Sequence, residues 1–352
     1  MKLRPAAASA CLLVFAAAIH VAPVHAAPIN GLVIIGDSLS DPGNNALAMG
    51  STASVNVTLQ SEITSNAFIP TYPYASSFQY SNGNVWAYQF ATTLGLSSQV
   101  AGPVLGGGLG ANYASGGAAT GPLNSGSIPP NLLTQTASYI STLGSAQAPA
   151  DSLYVVAGGG NNARDALAEI AGGADPTATI TATAVQFAAD IGSIVDSLQG
   201  KGAANIVVWD VPNMGLAPAI VASGPTAVTL GTMLAQSMNN ALTNRLASET
   251  GVQIFSMYGL VTAVNANPAA YGFINASDAS GAIPGADPAQ YLCWDGIHPT
   301  AAGHAILAQS MYTAVVPEPS SCLLVIAGLV PALVAVRRRW MARPQPSRDQ
   351  VI

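Results

Sequence analysis

The sequence predicts an α/β fold with a mainly parallel, five-stranded sheet covered by helices on both faces. Two observations carry this. Short apolar runs that close on glycine or another small residue alternate along the chain with longer helical stretches, the pattern of parallel strands joined by crossover helices. The stretch that holds them, residues 27–316, exceeds one average domain yet suits a single α/β unit with insertions, and no internal repeat divides it.

The first strand is residues 32–36, the unbroken apolar run Leu32-Val33-Ile34-Ile35 ending at Gly36. Residues 50–80 follow as a long polar insertion, placed as a loop on the substrate side. Residues 85–94 read as a helix and residues 98–101 as the second strand. Residues 106–111 fit the pattern G-x-G-x-x-A of a dinucleotide site, but no Asp or Glu between 111 and 150 is present to hold a ribose, so these glycines read as the approach to another loop. Then come a helix at 132–143, a strand at 153–157, helices at 163–170 and 177–199, a strand at 205–210, a helix at 227–249 and the fifth strand at 252–257. The last helix is residues 301–315. Pro299 disfavours helical backbone at the residue before it, so His298 stands on a loop.

Candidate chemistry gathers where strands end. Ser38 lies in Gly36-Asp37-Ser38-Leu39-Ser40-Asp41, a small-residue turn at the carboxyl end of the first strand, where ligands of open α/β sheets bind. Four histidines exist, and His20 and His25 fall in an N-terminal segment read as removed. His298 follows Asp295 by three residues on a loop, so Asp295 can accept from one ring nitrogen while the other faces Ser38. Nucleophile, general base and orienting acid are the set that acyl transfer requires. His304, set among alanines with Ile306 and Leu307, reads as a packed structural histidine. Two glycine-bearing segments suit an oxyanion hole. Residues 110–118 form a loop whose backbone N–H groups can approach a ligand, and Gly158-Gly159-Gly160-Asn161-Asn162 breaks a buried strand to deliver the Asn161 amide.

Together and in this order these blocks resemble the GDSL family of lipases and esterases, also called SGNH hydrolases, over about residues 34–315. The resemblance implies a flavodoxin-like three-layer α/β/α sandwich, Ser38, Asp295 and His298 as catalytic residues, and an oxyanion hole from Ser38, Gly117 and Asn161. Asn162 departs from the family, which has Asp after the block's Asn. Family activities include ester hydrolysis, deacetylation of carbohydrates, lysophospholipid hydrolysis and acyl transfer, so the expected substrate is a small-molecule, glycan or lipid ester. A non-catalytic surface or matrix protein is the alternative outside enzymes. Tyr72, Tyr74, Phe78, Tyr80 and Trp86 stack on sugars, line an acyl groove or simply pack the loop.

The ends of the chain bear on its compartment. Lys2 and Arg4 precede an apolar run, and Val24-His25-Ala26 offers a cleavage point, so residues 1–26 read as a secretory signal peptide. Pro317-Glu318-Pro319 precedes an uncharged stretch, residues 320–336, and then Arg337, Arg338 and Arg339. Seventeen residues at about 1.5 Å each span roughly 25 Å, near the lower limit for crossing a bilayer, and the arginines would stay cytoplasmic. Residues 317–339 resemble the PEP-CTERM sorting signal, which implies an exosortase as processing partner; an uncut membrane anchor is the other reading. Residues 340–352 form a polar tail longer than such signals carry. The expected location is therefore periplasmic or cell-surface, with an initial anchor in the inner membrane.

Between these ends only Arg164, Lys201 and Arg245 oppose fourteen Asp and Glu, a formal charge of −11 that argues against nucleic acid and anionic membranes as partners. Cys293 is the single cysteine of residues 27–316, so no disulfide forms within them, and its apolar neighbours read it as a small buried hydrophobe. No Cys or His cluster has the spacing of a transition-metal site, and the expected chemistry needs no cofactor.

Overall fold

The computed structural model describes residues 29–48, 63–100, 110–122 and 129–316. The signal-peptide and sorting-signal expectations, residues 49–62 of the insertion and the glycines at 106–108 lie outside the described residues.

Four strands pair in parallel in the order β1 (Gly31–Gly36), β2 (Ser152–Ala157), β3 (Asn205–Trp209) and β4 (Val252–Phe255). Ile34 lies opposite Val155, which lies opposite Val207. Every residue of β2 is buried, as a strand covered on both faces requires, and this is why it reads as a continuous apolar run. Successive side chains point to opposite faces. Val33, Ile35, Tyr154, Val156, Ile206 and Val208 pack against α3 (Leu132–Leu143), α4 (Gly160–Ala171), α5 (Pro176–Gly200) and α7 (Pro225–Leu246). Leu32, Ile34, Leu153, Val155, Val207 and Trp209 face α2 (Trp86–Thr93), α8 (Met257–Ala266) and α9 (Ala301–Val315). The result is an α/β/α sandwich. Among the described residues α5 alone is long and apolar enough to cross a bilayer, and half of its apolar stretch is buried in this sandwich. Asp175 starts α5 by accepting from the Ala178 N–H at 2.8 Å, with Pro176 in the first turn, where its missing N–H costs nothing.

The sheet corrects two expectations. Residues 98–100 of the expected second strand are not extended: Ser97–Gln99 is a 3-10 turn, and Val100 enters the core; Ala101 lies outside the described residues. The run has too little apolar surface to bury on two faces. Its place beside β1 is taken by a single parallel bridge between Ile34 and Asn112, in which the Ile34 N–H donates to the Ala111 carbonyl at 2.9 Å and the Tyr113 N–H donates to the Ile34 carbonyl at 2.7 Å. The Gln99 side chain satisfies the remaining edge, accepting from the Leu32 N–H at 2.7 Å. The fifth expected strand stops at Phe255 because Ser256 caps α8, its hydroxyl accepting from the Gly259 N–H at 3.1 Å. The sequence also did not foretell a small parallel pair, β5 (Asn275–Ala279) with β6 (Tyr291–Cys293), or the short helices α1 (Asn44–Ala48) and α6 (Pro218–Ala222).

Cys293 is buried as expected, and burial pushes its thiol up to about 12. His304 is fully buried on α9, and neither ring nitrogen meets a hydrogen-bond partner. Burial lowers it from the ordinary 6.5 to about 3. The unfolded chain therefore binds a proton that the folded chain refuses, and stability falls as pH drops from about 6.5 toward 3. His304→Leu is expected to flatten that acid limb and to be at least as stable at pH 7. Urea midpoints of both proteins at pH 4.5 and pH 7 check this; an equal pH dependence in the two would show that His304 does not carry it.

Candidate active site

β1 ends at Gly36 and the chain reverses through Asp37 to Ser40. The Asp37 side chain holds this turn by accepting from the Leu39 N–H at 3.0 Å, while its backbone carbonyl accepts from the Ser40 N–H at 3.1 Å. Burial pushes the Asp37 carboxyl up to about 6, against the opposing pull of the Leu39 N–H and the Arg164 guanidinium. Ser38 is thereby presented at the carboxyl end of the strand.

His298 comes from the loop between β6 and α9. The Asp295 carboxylate organises that loop, with Oδ1 accepting from the backbone N–H groups of Ile297 and His298, both at 2.8 Å. His298 Nδ1 stands 2.8 Å from Asp295 Oδ2 and 3.1 Å from Oδ1, and His298 Nε2 stands 2.9 Å from Ser38 Oγ. Asp295 is 0% exposed and His298 3%. An ionised carboxylate only accepts, so Nδ1 carries the proton and Nε2 is left to accept from the Ser38 hydroxyl. The structure thus joins Ser38, His298 and Asp295 in one hydrogen-bonded series across 260 residues of chain.

Tyr74 completes this arrangement. Its hydroxyl donates to Asp295 Oδ2 at 2.7 Å, and its ring packs edge-on against Trp294 at 5.7 Å. Burial, followed by the Asp295 charge, raises the phenol far above its ordinary value, so it remains a donor. The ring of Tyr80 lies 5.3 Å from that of His298, and its hydroxyl accepts from Asn45 Nδ2 at 2.6 Å. Of the readings open for these aromatics, packing fits three of the five, and Tyr80 also lines the cleft. Tyr74, Tyr80 and Trp86 are buried, with Trp86 donating to Ser40 Oγ at 3.0 Å, and only Tyr72 and Phe78 are exposed.

The loop carrying Gly117 is pinned to the Ser38 turn by buried polar side chains that sequence reading passed over. Asp41 accepts from the N–H groups of Gly43 at 2.8 Å, Asn44 at 2.7 Å and Asn45 at 3.3 Å, which caps α1, and from the Gly116 N–H at 2.9 Å. Burial pushes its carboxyl up to about 6, while those four N–H groups favour the charged form. Asn44 donates to the carbonyls of Asn112 and Ala114, both at 2.9 Å, and Asn45 donates to the Gly116 carbonyl at 3.1 Å. Asn112 returns the link, donating to the Ser40 carbonyl at 2.9 Å. The available signal was the cluster Asp41, Asn44 and Asn45 directly after the turn. Gly117 itself has φ +81°, a conformation that favours glycine.

Asn161 reaches the same place from β2. The strand breaks at Gly159, whose φ is +109° and where a Cβ would lie 2.6 Å from the Phe187 ring. Asn161 then sits in the first turn of α4, its Nδ2 donating to the Ala118 carbonyl at 2.8 Å, which leaves a second amide hydrogen for the cleft. Asn162 is occupied elsewhere. It accepts from the Thr120 N–H at 3.1 Å and donates to Thr120 Oγ1 at 3.0 Å, and that hydroxyl donates to Asp190 at 2.8 Å. The amide at 162 therefore secures the Gly117 loop, with α5 supplying the carboxylate behind it. Among the described residues the N–H groups of Ser38 and Gly117 donate to no protein acceptor.

Ser38, Tyr80, Gly117, Asn161 and His298 line one cleft of about 370 Å³. A second, smaller pocket shares Ser38, Asn161, Arg164 and His298 with this cleft and is also lined by Leu39, Pro212, Met214 and Ile297, and these last four residues also line an apolar cavity of about 80 Å³ together with Val261, Leu292 and Leu307.

The sequence profile of the GDSL-like lipase/acylhydrolase family matches residues 32–311. The chain is also 27% identical over 144 residues to a GDSL esterase/lipase of Arabidopsis thaliana, a match covering 34% of this chain and 40% of the plant protein. It is 25% identical over 314 residues to an uncharacterized Pseudomonas putida protein from the trpE-trpG intergenic region, covering 81% of this chain and 48% of that protein. The matches thus span less than half the length of either relative.

Proposed function

The chain belongs to the GDSL-like lipase/acylhydrolase family, and from that premise we propose that it is an exported serine esterase that hydrolyses carboxylic esters through an acyl-enzyme. One observation carries the proposal above the rest: Ser38 Oγ, His298 and the buried Asp295 carboxylate form a hydrogen-bonded series at the mouth of a cleft. In the proposed reaction Ser38 Oγ attacks the ester carbonyl and its proton passes to His298 Nε2. Asp295 stabilises the resulting imidazolium, and Tyr74 and the two loop N–H groups hold Asp295 in place. The tetrahedral oxyanion is received by the N–H groups of Ser38 and Gly117 and by the free amide hydrogen of Asn161. Collapse expels the alcohol, which takes the proton from His298. Water then gives a proton to His298 and attacks the acyl-enzyme, releasing the acid and restoring Ser38.

The apolar cavity beyond Leu39 and Ile297 supports a substrate whose acyl group extends past acetyl. Initial rates on p-nitrophenyl acetate, butyrate and palmitate, measured beside Ser38→Ala, test both points. Turnover that vanishes in the variant supports the serine hydrolase, and butyrate exceeding acetate supports the acyl cavity. No turnover on all three would sink the proposal in this form. Asn161→Ala is expected to lower kcat by about 10²- to 10³-fold, the scale for one lost oxyanion donor. A kcat within twofold of wild type would remove Asn161 from the mechanism.

Export belongs to the same proposal. Its support is the sequence of residues 1–26, with a basic start and an apolar run, and of residues 317–339, with Pro317-Glu318-Pro319 ahead of an apolar stretch and three arginines. Fractionation of cells producing the full chain, with N-terminal sequencing of the product, tests it; a cytoplasmic protein beginning at Met1 would overturn it.

A further inference from the structure

Arg164 stands on α4 one helical turn beyond Asn161, and both residues line the cleft that holds Ser38 and His298. Few cations are available in residues 27–316, which carry a formal charge of −11. The other two are committed. Arg245 is bonded to Asp196 at 2.6 and 2.7 Å and to Glu249 at 2.6 Å, and Lys201 donates to the Gly144 carbonyl at 2.9 Å. The Arg164 side chain makes no hydrogen bond among the described residues. Its nearest carboxylate is Asp165, 3.8 Å from Nε, and 35% of its side chain is exposed. The guanidinium therefore offers a fork of donors suited to a carboxylate or phosphate, beside the reacting hydroxyl.

We propose that Arg164 binds an anionic group carried by the substrate within a few bonds of the scissile carbonyl, so that the preferred substrate is an anionic ester. The inference rests on the esterase assignment. It has an electrostatic reason: a domain this acidic repels anionic substrates, and a cation placed in the cleft offsets that repulsion beside the reacting hydroxyl. The remaining charged and titratable groups around Arg164 are the Asp37 carboxyl, the Tyr80 phenol and the His298 imidazole within the clefts, and Asp165 outside them. A merely positioning role for Arg164, acting through Asp37 on the Ser38 turn, would slow neutral and anionic esters alike.

Matched pairs of esters separate these cases and locate the anion. For the acyl side the pair is p-nitrophenyl hemisuccinate and p-nitrophenyl pentanoate. For the alcohol side, 4-acetoxybenzoate and 4-acetoxyphenyl phosphate are each compared with methyl 4-acetoxybenzoate. The readout is the ratio of kcat/KM, anionic over neutral, in wild type, Arg164→Gln and Arg164→Lys, with Ser38→Ala as the blank. In at least one pair the ratio is expected to fall about 10-fold or more in Arg164→Gln, to be partly kept in Arg164→Lys, and to shrink with added salt in wild type. Ratios within twofold between wild type and Arg164→Gln in every pair would overturn the inference while leaving the esterase standing. Absence of turnover on all five esters, neutral ones included, would overturn the esterase assignment and the inference with it.

Discussion

Replacing Ser38 by alanine is expected to lower kcat on p-nitrophenyl esters by about 10⁵-fold, because the nucleophile and its base act as a unit. The side chain is small, ends in the cleft and has His298 Nε2 as its hydrogen-bond partner, so the fold should not register its loss. Thermal unfolding of the variant should match wild type within a degree or two. His298→Ala should cost about as much as Ser38→Ala, and the double variant little more than either, since the second change removes an interaction already lost. Asp295→Asn should cost about 10⁴-fold, by favouring the wrong imidazole tautomer and leaving the imidazolium without its partner charge. Tyr74 then serves as the control on this account. Tyr74→Phe removes one of several donors to Asp295 and should cost only about 10-fold in kcat, the worth of one hydrogen bond to a charged group. Additive losses from Ser38→Ala and His298→Ala would show that the two side chains do not work together.

Asp41→Ala is expected to lower unfolding stability by about 2–3 kcal/mol, the order for leaving buried backbone N–H donors without their acceptor. Four backbone N–H groups, those of Gly43, Asn44, Asn45 and Gly116, lose their acceptor in a fully buried site. The effect should reach catalysis as well. Gly116 precedes Gly117, and this carboxylate is one of the side chains, with Asn44, Asn45 and Asn112, that hold the proposed oxyanion donor in register with Ser38. A kcat loss beyond tenfold in protein that is still folded is therefore expected, with KM changed less. Urea titration followed by tryptophan fluorescence measures the first effect and initial rates the second. A urea midpoint equal to that of wild type would mean the loop is secured by something other than Asp41.

Local chemistry was legible in the sequence. The run Leu32-Val33-Ile34-Ile35 could only be a buried strand, the small residues after it a turn, and Pro299 kept His298 off the following helix, so Ser38, His298 and Asp295 each stood out as candidates from their neighbours. Residues 98–100 depart from the expected strand for a related reason. Whether a short, weakly apolar segment becomes an edge strand depends on what else can pair there, and the chain around Asn112 takes the position beside β1. The aromatic cluster stayed open among several roles in the sequence: nothing in the spacing of Tyr72, Tyr74, Phe78, Tyr80 and Trp86 reveals which hydroxyl has a buried carboxylate waiting for it.

By itself, then, the sequence determined the α/β class, the turn that carries Ser38, and Asp295 and His298 as candidates beside it, because burial periodicity and turn residues are properties of adjacent positions. Only the tertiary structure decided that His298 meets Ser38 at 2.9 Å, that Tyr74 donates to Asp295 from 221 residues away, that Asp41 ties the Ser38 turn to Gly116, and that Arg164 faces the cleft. Those contacts are made by single polar side chains between segments far apart in the chain. Such hydrogen bonds leave no periodic trace in a sequence and exist only once the sheet has brought its strand ends together.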